Sequence, residues 1–260
     1  MREVASILAM DPIAIDTSDV VLVFAVLALA GLVKGVVGLG LPTVTLALLT
    51  ATLGLETAVS VMLLPSLVTN LWQAAAGGAF RELLRRLWPF LGMLAVGTLL
   101  ASGAPAFVPV EVLSATLGAS IAVYGAFGLV KPVWTVAPGR ERAMSPAMGL
   151  ATGVLTGMTG SFVIPSVPYL QALGLPRDRL VQAMGMTFLT ATLALGIGLG
   201  GHGLVPTGLV VLSAAAVLPA LAGMELGRRL RQRLSERRFR QALFLSLLAL
   251  GTWILARQVT

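Results

Sequence analysis

Apolar residues run along the chain in long blocks separated by short polar punctuation. Residues 20–55 are almost unbroken, interrupted by Lys34 and by Gly38, Gly40 and Pro42. Blocks follow at 57–77, 87–104 and 110–130. A polar stretch from Lys131 to Met144 reads as a linker, and then come 145–175, disturbed at Gly160 and Pro165, and 180–200, 204–227 and 241–256. Blocks of about 20 apolar residues match a helix crossing a hydrocarbon core of ~30 Å. Alternating ten-residue strands of the outer-membrane barrel type are absent. The expectation is an all-α polytopic membrane protein.

Composition sharpens this by exclusion. Of the 260 residues, 57% are hydrophobic and only 11% are charged, against about 25% charged in soluble domains. The mean hydropathy is +0.94. A soluble domain and a disordered chain are both excluded. There is no cysteine, hence no disulfide, thiolate metal site or thiol nucleophile. The N-terminus does not read as a signal peptide, because the apolar stretch Ala5–Met10 is short and Asp11, Asp16 and Asp19 follow it.

The two long blocks resemble each other. Gly31, Gly35 and Gly38 match Gly153, Gly157 and Gly160 at a constant offset of 122, and Pro42 matches Pro165 after a one-residue slip. The same offset pairs Val59 with Val181 and Gly78 with Gly200; later, Gly125 pairs with Gly251 at offset 126. The chain therefore reads as a duplication, residues 18–131 and 143–257, joined by a cytoplasmic linker at 132–144. Each repeat holds five apolar segments.

The net charge of +7 follows this duplication and does not indicate nucleic acid. The loop with Arg81, Arg85 and Arg86 has a counterpart, 200–206, without Lys or Arg. The loop 102–111 has none, and its counterpart carries Arg228, Arg229, Arg231, Arg233, Arg237, Arg238 and Arg240. The positive-inside rule places such matching loops on opposite faces, which makes the repeats inverted in topology, as in many secondary transporters. Of 18 basic residues, all but Arg2, Lys34 and Arg257 then fall inside, and both termini are extracytoplasmic. The basic run from Arg228 to Arg240 reads as an amphipathic connector that meets anionic lipid headgroups. His202, the single histidine, reads as a solvated turn residue.

Within each repeat the segment after the Gly/Pro disturbance is short. Residues 42–55 would span only ~21 Å as helix. The spacing favours two Gly/Pro-tipped hairpins entering from opposite faces over two near-full crossings. Irregular backbone at membrane depth is tolerated where it lines a cavity, and broken helices offer unpaired N–H groups and positive dipole ends to anions. The candidate residues at the tips are Gly38, Gly40, Pro42 and Thr43, and Thr159, Gly160, Ser161, Pro165 and Ser166. Gly31, Gly35, Gly153 and Gly157 fit tight helix packing better.

The duplicated Gly-rich segment ending in Pro, the short segment after it, the basic middle loop and the length resemble the TauE/SafE family, also called the sulfite exporter family, over essentially the whole chain. The resemblance implies a plasma-membrane permease for sulfite, organosulfonates or related small anions.

Lys34 is the one basic residue well inside an apolar block. It reads either as part of a site beside the tip or as a side chain snorkelling to the interface. Asn70 and Gln73 lie one turn apart in the next segment, and Gln182, Thr187 and Thr190 lie in its counterpart; interhelical bonding and ligand contact are both open to them. Tyr169 is a weaker candidate, and Trp72 and Trp88 read as anchors or packing. No HExxH, GxSG or Walker loop occurs, so an enzyme is not expected, and no cofactor is implied. The reading is a secondary transporter of a small anion, more readily an exporter, working by alternating access around the two tips. A membrane scaffold and an anion channel are the alternatives.

Overall fold

The computed structural model describes residues 16–130, 135–230 and 235–258. Among these residues it is all-helical, with ten α-helices and one short 3-10 turn. The helices are α1 (Thr17–Val37), α2 (Leu41–Leu53), α3 (Leu55–Ala75), α4 (Phe80–Ala101), α5 (Val110–Val130), α6 (Pro138–Thr159), α7 (Ser166–Ala172), α8 (Arg177–Gly201), α9 (Thr207–Leu230) and α10 (Glu236–Arg257). Seven of them are long and apolar enough to cross a membrane. Their hydrophobicity runs nearly all round each helix, as expected where one side meets protein and the other meets lipid.

The largest interfaces are α4 with α6, α1 with α9, and α5 with α10, and α3 packs centrally on α8. Exchange of α1–α5 with α6–α10 leaves this pattern unchanged: α4–α6 becomes α9–α1, and α5–α10 and α3–α8 map onto themselves. Glycine makes these contacts possible. A Cβ at Gly31 would lie 2.1 Å from the Ala220 carbonyl oxygen, and one at Gly153 would lie 2.2 Å from that of Leu94. At these points helix backbones touch, so Gly31, Gly35, Gly153 and Gly157 serve helix packing.

Three boundaries differ from the hydropathy reading, all at basic ends. Arg81, Arg85 and Arg86 lie on α4 rather than in a loop, because backbone bonding runs on past the apolar stretch. The helix α6 begins at Pro138, inside the segment read as linker; Pro at a first helical position is well suited there, since its missing N–H would be unpaired anyway. The basic run is not one connector: Arg228 and Arg229 end α9, and Arg237, Arg238 and Arg240 belong to α10. Arg2, Lys131, Arg231, Arg233, the start of the linker and both chain ends lie outside the described residues.

Several described arginines lie together: Arg177 of α8 and Arg228 of α9 line one cavity. Arg86 of α4 makes a bidentate pair with Glu141 of α6 at 2.7 and 2.8 Å. Arg179 of α8 pairs with Glu82 of α4 at 2.6 Å.

Both Gly/Pro disturbances break the chain. The helix α1 ends on Gly38 at φ +87°, and α6 ends on Gly160 at φ +73°; each left-handed cap is a conformation that glycine adopts without a Cβ penalty. The arms are unequal. The helices α1 and α6 have 21 and 22 residues, whereas α2 has 13 and α7 has 7.

Candidate functional site

Lys34 sits one turn before the first break, and its side chain is buried, with 4% exposed. Its ammonium donates to Thr69 Oγ1 at 3.1 Å and to Asn70 Oδ1. Both acceptors are neutral. Thr69 can accept because its own hydroxyl proton goes to the Pro65 carbonyl at 2.8 Å. Lys34 is therefore held inside rather than snorkelling outward. A buried ammonium with no counter-charge among the described residues is costly.

The helix α3 supplies the rest. Ser66, Asn70 and Gln73 follow one another at helical spacing on one face, and Ser66 and Asn70 are fully buried. Three of their polar atoms have no partner: Ser66 Oγ, Asn70 Nδ2 and Gln73 Oε1. Because Asn70 turns its oxygen to Lys34, its amide N–H₂ is left as a pair of unused donors. Pro65 lies inside the same helix, and its ring removes the N–H that would bond the Val61 carbonyl. Ser213 of α9 repairs the gap: its hydroxyl donates to Val61 O at 2.8 Å and accepts from Leu64 N at 3.1 Å.

Gln73 and Gln182 fasten the surroundings. The Gln73 amide donates to the carbonyls of Gly38 at 3.0 Å and Val181 at 2.9 Å, tying the first break to α3 and α8. Gln182 donates to Ala74 O at 2.9 Å and accepts from Ala79 N at 3.0 Å. These contacts make Gln182 a cross-brace between α8 and the α3–α4 turn.

A cavity of about 400 Å³ reaches this cluster, lined by Lys34, Gly38, Thr69 and Gln73, with Arg177, Asp178 and Arg228 also on its wall. A second cavity, of about 180 Å³, lies at the opposite ends of α3 and α8 and borders Gly160, Glu56 and Ser60. The two share no lining residue. Each helix break thus faces its own cavity, and buried segments of α3 and α8 separate them.

The candidates from the second break stay apart from Lys34. Thr159 donates to Leu155 O at 2.7 Å and accepts from Ser161 N at 3.2 Å. Ser166 donates to the Phe162 carbonyl. Pro165 is the N-cap of α7, which has no side-chain cap bond. At the first break, Gly40 is the N-cap of α2, Pro42 lies in its first turn and Thr43 is buried. Thr187 donates back to Ala183 O at 2.8 Å, and Thr190 is half-buried further along α8. The side chain of Tyr169 packs on Phe90 and its hydroxyl lies 2.5 Å from that of Ser145. Trp72 and Trp88 are both exposed, and Trp72, read from the sequence as an anchor or packing residue, lines the cavity that reaches Lys34. His202 is exposed, as a turn residue would be, and its Nδ1 lies 2.7 Å from the Gly198 carbonyl oxygen. Ser66 and Thr69 escaped sequence reasoning. The signal that could have found them is the polar stripe 66, 69, 70, 73 in an otherwise apolar segment.

The family model described as Sulfite exporter TauE/SafE matches residues 23–254. A comparison with curated proteins gives no match, and neither does one with solved structures. The match spans nearly the whole chain, and the chain belongs to that family of membrane transporters.

Proposed function

We propose that this TauE/SafE family member is a secondary transporter that carries a small sulfur oxyanion, such as sulfite or an organosulfonate, out of the cell. The observation that carries the reading is Lys34, buried and held by two neutral oxygens. Asn70, which accepts from Lys34, keeps an unused N–H₂, and Ser66 one turn before it on α3 has an unpartnered hydroxyl. An oxyanion seated there supplies the missing counter-charge and accepts the unused hydrogen bonds, both of which count for more in a dry site than in water.

The two cavities support alternating access. One reaches Lys34 from the basic end of the bundle; the other borders Gly160 at the far end. By the positive-inside rule the basic end is cytoplasmic, so this conformation receives substrate from inside. The unchanged pairing pattern on exchange of halves supports inverted repeats, whose mirror conformation would close the first cavity and open the second. A monoanion leaving an inside-negative cell gains ~2.3 kcal/mol per 100 mV, so export needs no coupled ion. The arginines at the basic end meet anionic headgroups of the inner leaflet, in a bacterial-type plasma membrane.

Thermal unfolding of the purified protein with sulfite, thiosulfate and taurine tests the binding half. Saturable stabilisation by at least one of them is expected, and it should vanish in Lys34→Met. Equal stabilisation of Lys34→Met and wild type would remove the site.

A further inference from the structure

We propose that Gln73 is a specificity-determining residue of the Lys34 site, and that its amide oxygen selects anions which bring a hydrogen-bond donor of their own. The inference rests on the reading of that site as an oxyanion site. Gln73 Nε2 donates to the carbonyls of Gly38 at 3.0 Å and Val181 at 2.9 Å. These two acceptors fix which way the amide is turned. Its Oε1 is then left buried and without a donor. Gln73 is 8% exposed and lines the same cavity as Lys34. A buried acceptor with nothing to accept from is costly, and neither the cross-bracing of helices nor the anion charge explains it.

The site thus offers both kinds of partner. Lys34 and the unused Asn70 N–H₂ present donors to oxyanion oxygens. One turn further along α3, Gln73 presents an acceptor. A plain alkanesulfonate satisfies the donors and leaves the acceptor orphaned. An anion with an O–H or N–H satisfies both, which describes hydrogensulfite and the hydroxy- and aminoalkanesulfonates. A site with a buried polar group to pair rejects ligands that lack the matching group. Water in the cavity can stand in for the missing donor, which holds the expected preference to about tenfold. Asp178, exposed on the same cavity, would attract an ammonium by charge alone, so a hydroxyl is the probe that isolates Gln73.

The test uses the full chain in detergent with 2-hydroxyethanesulfonate and 1-propanesulfonate, which carry the same charge and differ by a hydroxyl in place of a methyl. The readout is the concentration of each that gives half of its saturable rise in unfolding midpoint. The hydroxyl ligand should need about tenfold less, although apolar burial alone favours the methyl. In Gln73→Met the ratio should fall to one or below. A residue that only braces helices would weaken both ligands together and leave the ratio unchanged. Lys34→Met should abolish the response to both. Equal half-effect concentrations in wild type, or a tenfold ratio that persists in Gln73→Met, would overturn the proposal and leave the oxyanion site standing. Absence of stabilisation by either sulfonate also overturns it; the oxyanion site falls with it only where sulfite, thiosulfate and taurine fail as well. Where Gln73→Met does not fold, the wild-type ratio alone decides.

Discussion

A lysine held by neutral side chains can be probed by giving it a partner. Asn70→Asp places a carboxylate where Asn70 Oδ1 now accepts from Lys34. The new ion pair completes the buried charge, so the unfolding midpoint should hold or rise. The same carboxylate competes with a bound oxyanion, and transport should fall by about 100-fold, the loss of some 3 kcal/mol of charge-assisted contact. Flux measurement beside thermal unfolding separates the two effects. Gln182→Leu should behave oppositely. It orphans Ala79 N and Ala74 O, which should lower stability by about 1–3 kcal/mol while the substrate concentration for half-maximal flux stays near that of wild type. At this scale the sequence singled out Lys34 and Asn70 because a charge and an amide stand out in apolar blocks. It could not show that they meet, since 36 residues separate them, and contact across such a distance is a property of helix packing.

The glycines act at the level of elements. Those of α1 and α6 lie at close backbone approaches, and a Cβ at Gly35 would come within 2.2 Å of the Met224 oxygen. Gly153→Val should therefore force α6 from α4 and lower stability by about 1–3 kcal/mol or more, read as a fall in unfolding midpoint. Gly38→Ala should do less to stability, about 1–2 kcal/mol for a left-handed residue with a Cβ, and more to transport, because Gly38 forms the break beside the site. Spacing by four made the packing glycines legible, and the positive-φ caps were legible from Gly followed by Pro. Helix ends were not. Hydropathy sees only the part of α4 that lipid would accept, whereas its hydrogen bonding begins at Phe80 and carries three arginines beyond that part. Nor could periodicity tell that the two breaks face separate cavities instead of one shared site.

At the scale of the whole molecule, the proposed alternating access rests on pairings preserved on exchange of halves and on two cavities that share no lining residue. The proposed sidedness rests on charge and is testable because the chain has no cysteine of its own. A single cysteine at Gly139, on the exposed start of α6, should be labelled only from the cytoplasmic side, and one at Gly201, the exposed end of α8, only from outside. Labelling of both from one side would invalidate the inverted arrangement. The central claim, that a buried lysine draws a sulfur oxyanion through this bundle, is tested most directly by flux of labelled sulfite from proteoliposomes under an imposed potential. Wild type should give saturable flux that rises as the anion-releasing compartment is made more negative, and Lys34→Met, folded to the same midpoint within a few degrees, should give the rate of protein-free vesicles. Sulfite flux in Lys34→Met equal to wild type would contradict it.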